Sequence, residues 1–178
     1  MAEVKGKFIT MVGEKMRQGT SDNLDDANAM LESHIGLTYD ELDPEGWYDT
    51  ELFGKFMKMY AEGSIAGREA IRIAGKQVYP TIKYTTGLPD HVTSVYDLIL
   101  FEADGFEQNH RGSDVVPRNF LRKKEGDVIV EADAPGYDCK LFEGVYEGLF
   151  VLFDESGDVE HSECTKHGAD RCKFRITW

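Results

Sequence analysis

Cys139, His161, Cys164 and Cys172 are the residues best suited to chemistry in this chain. They include every cysteine of the protein, and the last three follow the spacing His161-x2-Cys164-x7-Cys172. Three thiols and an imidazole are what a structural zinc ion takes, because zinc is borderline-soft and binds thiolate and imidazole in a closed tetrahedron. Three cysteines cannot all pair internally, so metal binding or redox duty is a better reading than a disulfide framework. The alternative is that Cys139 and Cys172 are ordinary core thiols and His161 a surface imidazole. His167 lies close enough in sequence to replace His161 as the fourth ligand. His34, His91 and His110 are isolated. With four protein ligands the centre would have no open position for water, so hydrolysis there is not expected.

The elements that must position these residues change character along the chain. Phe8, Val12 and Met16 recur at helical spacing, as do Leu24, Ala27, Leu31 and Ile35. A third helix is expected from a Thr50 cap through Leu52, Phe53, Phe56, Met59 and Tyr60. A fourth carries Ile65, Ala66, Ala70, Ile73 and Ala74 and ends before Pro80. A fifth starts near Pro89-Asp90 and carries Val92, Val95, Ile99 and Phe106. After His110 the pattern shifts. Lys123-Lys-Glu-Gly-Asp signals a hairpin, and Val128, Val130 and Ala132 alternate at period two. Cys139, Phe142, Tyr146 and Phe150 return to helical spacing. Strands over 159–165 and 171–178 close the chain around a Gly168-Ala-Asp turn. The predicted fold class is α+β: one domain, 1–178, with a helical lobe over 1–112 and an α/β lobe over 113–178 that holds the metal site.

The chain has 178 residues and a net charge of −13, from 20 basic and 33 acidic residues. Most of that surface repels a polyanion, so nucleic acid is not an expected partner. No run of 18 apolar residues and no apolar leader is visible, which reads as a soluble cytoplasmic protein with no membrane partner. No nucleophile elbow, phosphate-binding loop or His-Glu-x-x-His motif supports an enzyme.

The segment His161-Ser-Glu-Cys164-Thr-Lys-His-Gly168-Ala-Asp-Arg-Cys172, preceded by Pro135-Gly-Tyr-Asp-Cys139-x3-Glu143-Gly144, resembles the C-terminal subdomain of heme-nitric oxide/oxygen binding (H-NOX) domains. More specifically, it looks like the subgroup that holds zinc with three Cys and one His. Lys5-Gly6-Lys-Phe-Ile, Glu51-Leu-Phe, Gly75-Lys76-x2-Tyr79-Pro80 and Thr93-Ser94 sit in the order the resemblance implies. The ending is also similar to the vinyl-reductase-like domains. The resemblance implies a sensory, non-enzymatic domain that signals to a partner such as a histidine kinase or a cyclic-di-nucleotide enzyme.

The heme determinants of the family are missing. The family's iron-ligating histidine falls at Leu100, or at Ile99 with a shift of one, and no histidine lies between Val92 and Asn109. The positions matching its Tyr-x-Ser-x-Arg propionate clamp are Ala132, Ala134 and Gly136. Family-type heme is therefore not expected, and zinc is the expected cofactor. The signal would be oxidation of the thiolates or a small apolar ligand in the helical lobe. Two other readings remain open: a heme-based NO/O2 sensor using His110 or His91, and a vinyl-reductase-like enzyme or ligand-binding domain.

Overall fold

The computed structural model describes residues 1–178, and the chain falls into two compact units. The first comprises Met1–Ile71, Asn109–Val115 and Ala134–Asp138; the second comprises Arg72–Gln108, Val116–Asp133 and Cys139–Trp178. No helix is long and apolar enough to cross a membrane.

In the first unit, β1 (Glu3–Lys5) leads directly into α1 (Gly6–Lys15) and a short π-helical extension over Met16–Thr20. α2 (Leu24–Ile35) and α3 (Thr50–Glu62) follow, with β2 (Trp47–Asp49) between them. β1 pairs antiparallel with β2 and with the two-residue β3 (His110–Arg111). The apolar stripes read from sequence face inward: Ile9, Val12, Ala27, Leu31 and Phe56 are fully buried. The cap of α3 differs from expectation. The Asp49 carboxylate accepts the Glu51 N–H at 2.8 Å, so Asp49 is the cap and the buried Thr50 is the first helical residue.

α4 (Glu69–Lys76) begins later than the sequence suggested, because Gly67 has φ +55° and breaks the turn; Ile65 lies outside the helix, fully exposed. Pro80 does not end the helical region. It occupies the first turn of α5 (Val78–Thr85), where its missing N–H has no intrahelical partner to lose.

In the second unit, α6 (Val95–Asn109) is set by a reciprocal cap. The Ser94 hydroxyl accepts the Asp97 N–H at 3.1 Å, and the Asp97 carboxylate accepts the Thr93 N–H at 3.1 Å. The backbone N–H of Thr93 chiefly holds the Asp97 carboxyl below the usual carboxylate range. A four-stranded antiparallel sheet has the order β4 (Asn119–Lys124), β5 (Asp127–Glu131), β7 (Lys173–Thr177), β6 (Asp158–Glu163). Val128, Val130, Phe174 and Ile176 form its buried face, and Tyr146 of α7 (Cys139–Val151) lies against Phe174 with ring centroids 5.6 Å apart.

The lobe boundary expected at 112/113 is replaced by the interleaved division above. Glycines explain why the chain from Arg72 onward joins the sheet and α7. A Cβ at Gly144 would lie 1.9 Å from the Arg72 carbonyl oxygen, and one at Gly148 would lie 2.4 Å from that of Lys76. A Cβ at Gly75 would lie 2.3 Å from the Leu141 carbonyl oxygen. Backbones this close need both helices free of side chains at the crossing, so α4 packs onto α7 rather than ending a helical lobe.

Candidate metal centre

Cys139 is the first residue of α7, and the terminal hairpin supplies the other three groups. His161 lies on β6, its ring stacked on Phe174 with centroids 4.4 Å apart and planes at 18°. Cys164 follows β6 and opens a 3₁₀ turn over Thr165–His167, which Gly168 closes at φ +92°. Cys172 precedes β7, where its carbonyl accepts the Ala132 N–H at 3.0 Å. The 3₁₀ turn and the register shift between His161 and Glu163 bring the hairpin back toward the helix start.

The ligand atoms of Cys139, His161, Cys164 and Cys172 all lie within 4.8 Å of one another. The Cys139 and Cys164 sulfurs are 3.6 Å apart. Zinc–sulfur bonds of about 2.3 Å set at tetrahedral angles put two thiolates about 3.8 Å apart, so the spacing fits such an ion. Cys139 and Cys172 are buried and Cys164 is half-buried. The cluster can therefore hold a metal ion. His167 is exposed on the turn and lies outside the group.

Backbone donors around the Cys164 and Cys172 sulfurs act against the effect of burial. Burial pushes the Cys164 thiol up, but the N–H groups of Lys166 and His167 and contacts with the other two thiols outweigh it, and its pKa falls below the usual thiol value. The Thr165 N–H donates to the Cys172 sulfur at 3.5 Å, yet burial dominates there and raises that thiol. Such N–H···S contacts are outer-shell support that fixes ligand orientation.

The positions that would serve a family-type heme do not fit one. Leu100 is half-buried on α6 and Ile99 fully buried; neither side chain has a lone pair for iron. Ala132 and Ala134 are buried. Gly136 has φ +79°, and a Cβ there would lie 2.8 Å from both the Glu51 Cα and the Thr50 carbonyl oxygen. An arginine cannot occupy that position without moving the backbone. His110 is buried with Nε2 2.7 Å from the Tyr137 hydroxyl, and His91 is exposed.

One polar cluster was not anticipated from sequence. Arg118 and Glu102 have side chains only 2% and 5% exposed and form a two-pronged ion pair, with N···O distances of 2.7 Å from Nη2 and 3.1 Å from Nε. The guanidinium lies over the Phe106 ring at 3.8 Å and the Phe142 ring at 4.6 Å. The Tyr146 hydroxyl donates to Glu102 at 3.4 Å. Burial, then the Glu102 charge, push the Tyr146 and Tyr79 phenols well up. The available signal was Glu102, a carboxylate set directly between the apolar Ile99-Leu-Phe101 and Ala103.

With this geometry in hand, the class is defined: an α+β domain with the H-NOX fold and a Cys3His cluster that can hold a metal. Neither a family model nor a curated protein matches the sequence. Solved structures do match in fold. One comes from work on heme distortion in the H-NOX family, with TM-score 0.72, 18% identity, and coverage of 98% of this chain and 94% of that one. Another is an H-NOX protein from S. oneidensis in the Fe(II)NO ligation state, with TM-score 0.72, 16% identity, and coverage of 97% of each chain. A mutant of T. Tengcongensis H-NOX matches with TM-score 0.70, 18% identity, and coverage of 97% and 96%.

Proposed function

We propose that this chain is a non-enzymatic sensory domain with the H-NOX fold, stapled by one zinc ion and working without family-type heme. Cys139, Cys164 and Cys172 would hold the ion as thiolates and His161 as a neutral imidazole. Bound there, zinc would supply folding free energy and keep the thiols deprotonated. The observation that carries the reading is the convergence of these four ligand atoms within 4.8 Å, in a fold whose solved relatives are named for heme and for Fe(II) ligation. Leu100 at the expected iron-ligand position and the backbone contacts of Gly136 support the second half of it.

Two inputs suit this arrangement. Hydrogen peroxide can oxidise Cys139 and Cys164: two thiolates give up two electrons and form one S–S bond, and the hydrogen peroxide takes those electrons with two protons and leaves as two waters. That removes two of the four ligands, releases the metal from His161 and Cys172, and replaces the centre with a covalent link between α7 and the hairpin turn. A small apolar ligand bound among the helices is the other input. The output would pass to a partner protein, such as a histidine kinase or a cyclic-di-nucleotide enzyme.

Metal analysis with hemin titration tests the reading. About one zinc per chain and no Soret band of a ligated heme are expected. A histidine-ligated heme spectrum at one equivalent would instead favour a heme-based gas sensor with an atypical ligand such as His110.

A further inference from the structure

The sheet of the second unit ends in two outer strands of opposite charge. β4 carries Arg122, Lys123 and Lys124, in a chain whose net charge is −13; β6 carries Asp158, Glu160 and Glu163. All six of these residues are exposed. The pairing registers put the relevant charges on one face. Lys124 faces Asp127, Asp127 faces Thr177, and Thr177 faces Asp158. Likewise Arg122 faces Ile129, Ile129 faces Arg175, and Arg175 faces Glu160.

Direction matters as much as charge. Every neighbouring pair in the sheet is antiparallel, and there are four strands. A second copy that lays its β4 antiparallel along β6 therefore runs its own sheet in the same sense as the first, with the α7-covered faces on the same side. Both strands have six residues. Aligned end to end, Lys124 of the arriving copy stands opposite Asp158, and Arg122 stands opposite Glu160. The symmetric alternatives fail: β4 on β4 sets cations against cations, and β6 on β6 sets carboxylates against carboxylates. Charged edges ordinarily keep sheets apart, but here they do so only for those like-with-like pairings. Arg122 can turn outward without stranding its present partner, because Asp127 is also held by Arg175 at 3.1 Å.

We propose that these two edges are a self-association surface, the basic β4 edge of one copy docking on the acidic β6 edge of the next. The contact is heterologous and does not close on itself, so it builds open chains rather than a dimer of fixed size.

Sedimentation of the intact protein over a concentration series tests this. The average mass should rise steadily above the 20.1 kDa of one chain, and raising salt tenfold should reverse the rise. Two charge-reversed proteins sharpen the test: Arg122→Glu with Lys124→Glu, and Asp158→Lys with Glu160→Lys. Each alone should stay at single-chain mass, since its two edges now carry the same sign. Mixed one to one, they should associate again. A wild type that stays at 20.1 kDa at every concentration would overturn the proposal. So would a salt-insensitive dimer of fixed mass, reversed proteins that associate as wild type does, or a mixture that stays monomeric.

Discussion

The sulfur of Cys139 lies 3.6 Å from that of Cys164, across 25 residues of chain. One sulfur belongs to the start of a helix and the other to a turn after a strand, so holding them together couples α7 to the terminal hairpin. His161 and Cys172 complete the same cluster from either side of that turn.

Cys164→Ser should therefore lose the metal and loosen the second unit first. Structural zinc contributes several kcal/mol to small domains, so the variant should melt earlier than wild type, and a strong chelator should bring wild type down to match it. Thermal unfolding followed by circular dichroism, with and without chelator, reads both effects. Equal melting temperatures for the two proteins would contradict the staple.

Restoring an arginine at the clamp position should damage the fold rather than create a heme site. Gly136→Arg places a side chain where 2.8 Å separates a Cβ from the backbone of Thr50 and Glu51, and at φ +79°. Overpacking and left-handed strain together should cost at least about 1–3 kcal/mol. Gly54→Ala should cost a similar amount, because its Cβ would lie 2.0 Å from the Gly136 carbonyl oxygen. Urea unfolding midpoints check both, and a wild-type midpoint for either would contradict the close approach.

The buried ion pair should be expensive to break and cheap to replace. Glu102→Leu leaves the Arg118 charge alone in the interior, with its side chain 2% exposed, at a cost of about 3–5 kcal/mol. Glu102→Leu with Arg118→Met removes both charges and should recover most of that loss. Denaturant midpoints of the single and double variants decide it.

The sequence was most legible where burial follows a regular period. Val12, Leu31, Phe56, Val128 and Val130 all point inward as their spacing predicted. Short elements without a period were not visible. β1 and β2 have three residues each and β3 has two, too few to show alternation. α5 was hidden by Pro80, a breaker that the first turn of a helix tolerates. The unit boundary was hidden because it depends on backbone contact at Gly75, Gly144 and Gly148, where the informative feature is an absent side chain. The four cluster residues were legible from their types alone, since few environments gather three thiols and an imidazole. Arg118 was not, because nothing in its neighbourhood in sequence marks it as interior.

Alkaline titration should report the same interior. Burial and the Glu102 charge raise the Tyr79 and Tyr146 phenols above their ordinary value of 10.0. In the unfolded chain both protons leave near that ordinary value, while the folded state retains them. Their contribution to stability is therefore full below about pH 10 and is lost as pH rises toward the folded-state values. Phenolate absorbance should show Tyr79 and Tyr146 ionising only as the protein unfolds. Ionisation of Tyr79 and Tyr146 in the folded protein near their ordinary value would contradict the placement.

Zinc-edge X-ray absorption of the purified protein tests the central claim most directly. The expected first shell is three sulfurs at about 2.3 Å and one nitrogen at about 2.0–2.1 Å. A shell of light atoms alone, or a protein that carries no zinc after purification in its presence, would contradict the centre formed by Cys139, His161, Cys164 and Cys172.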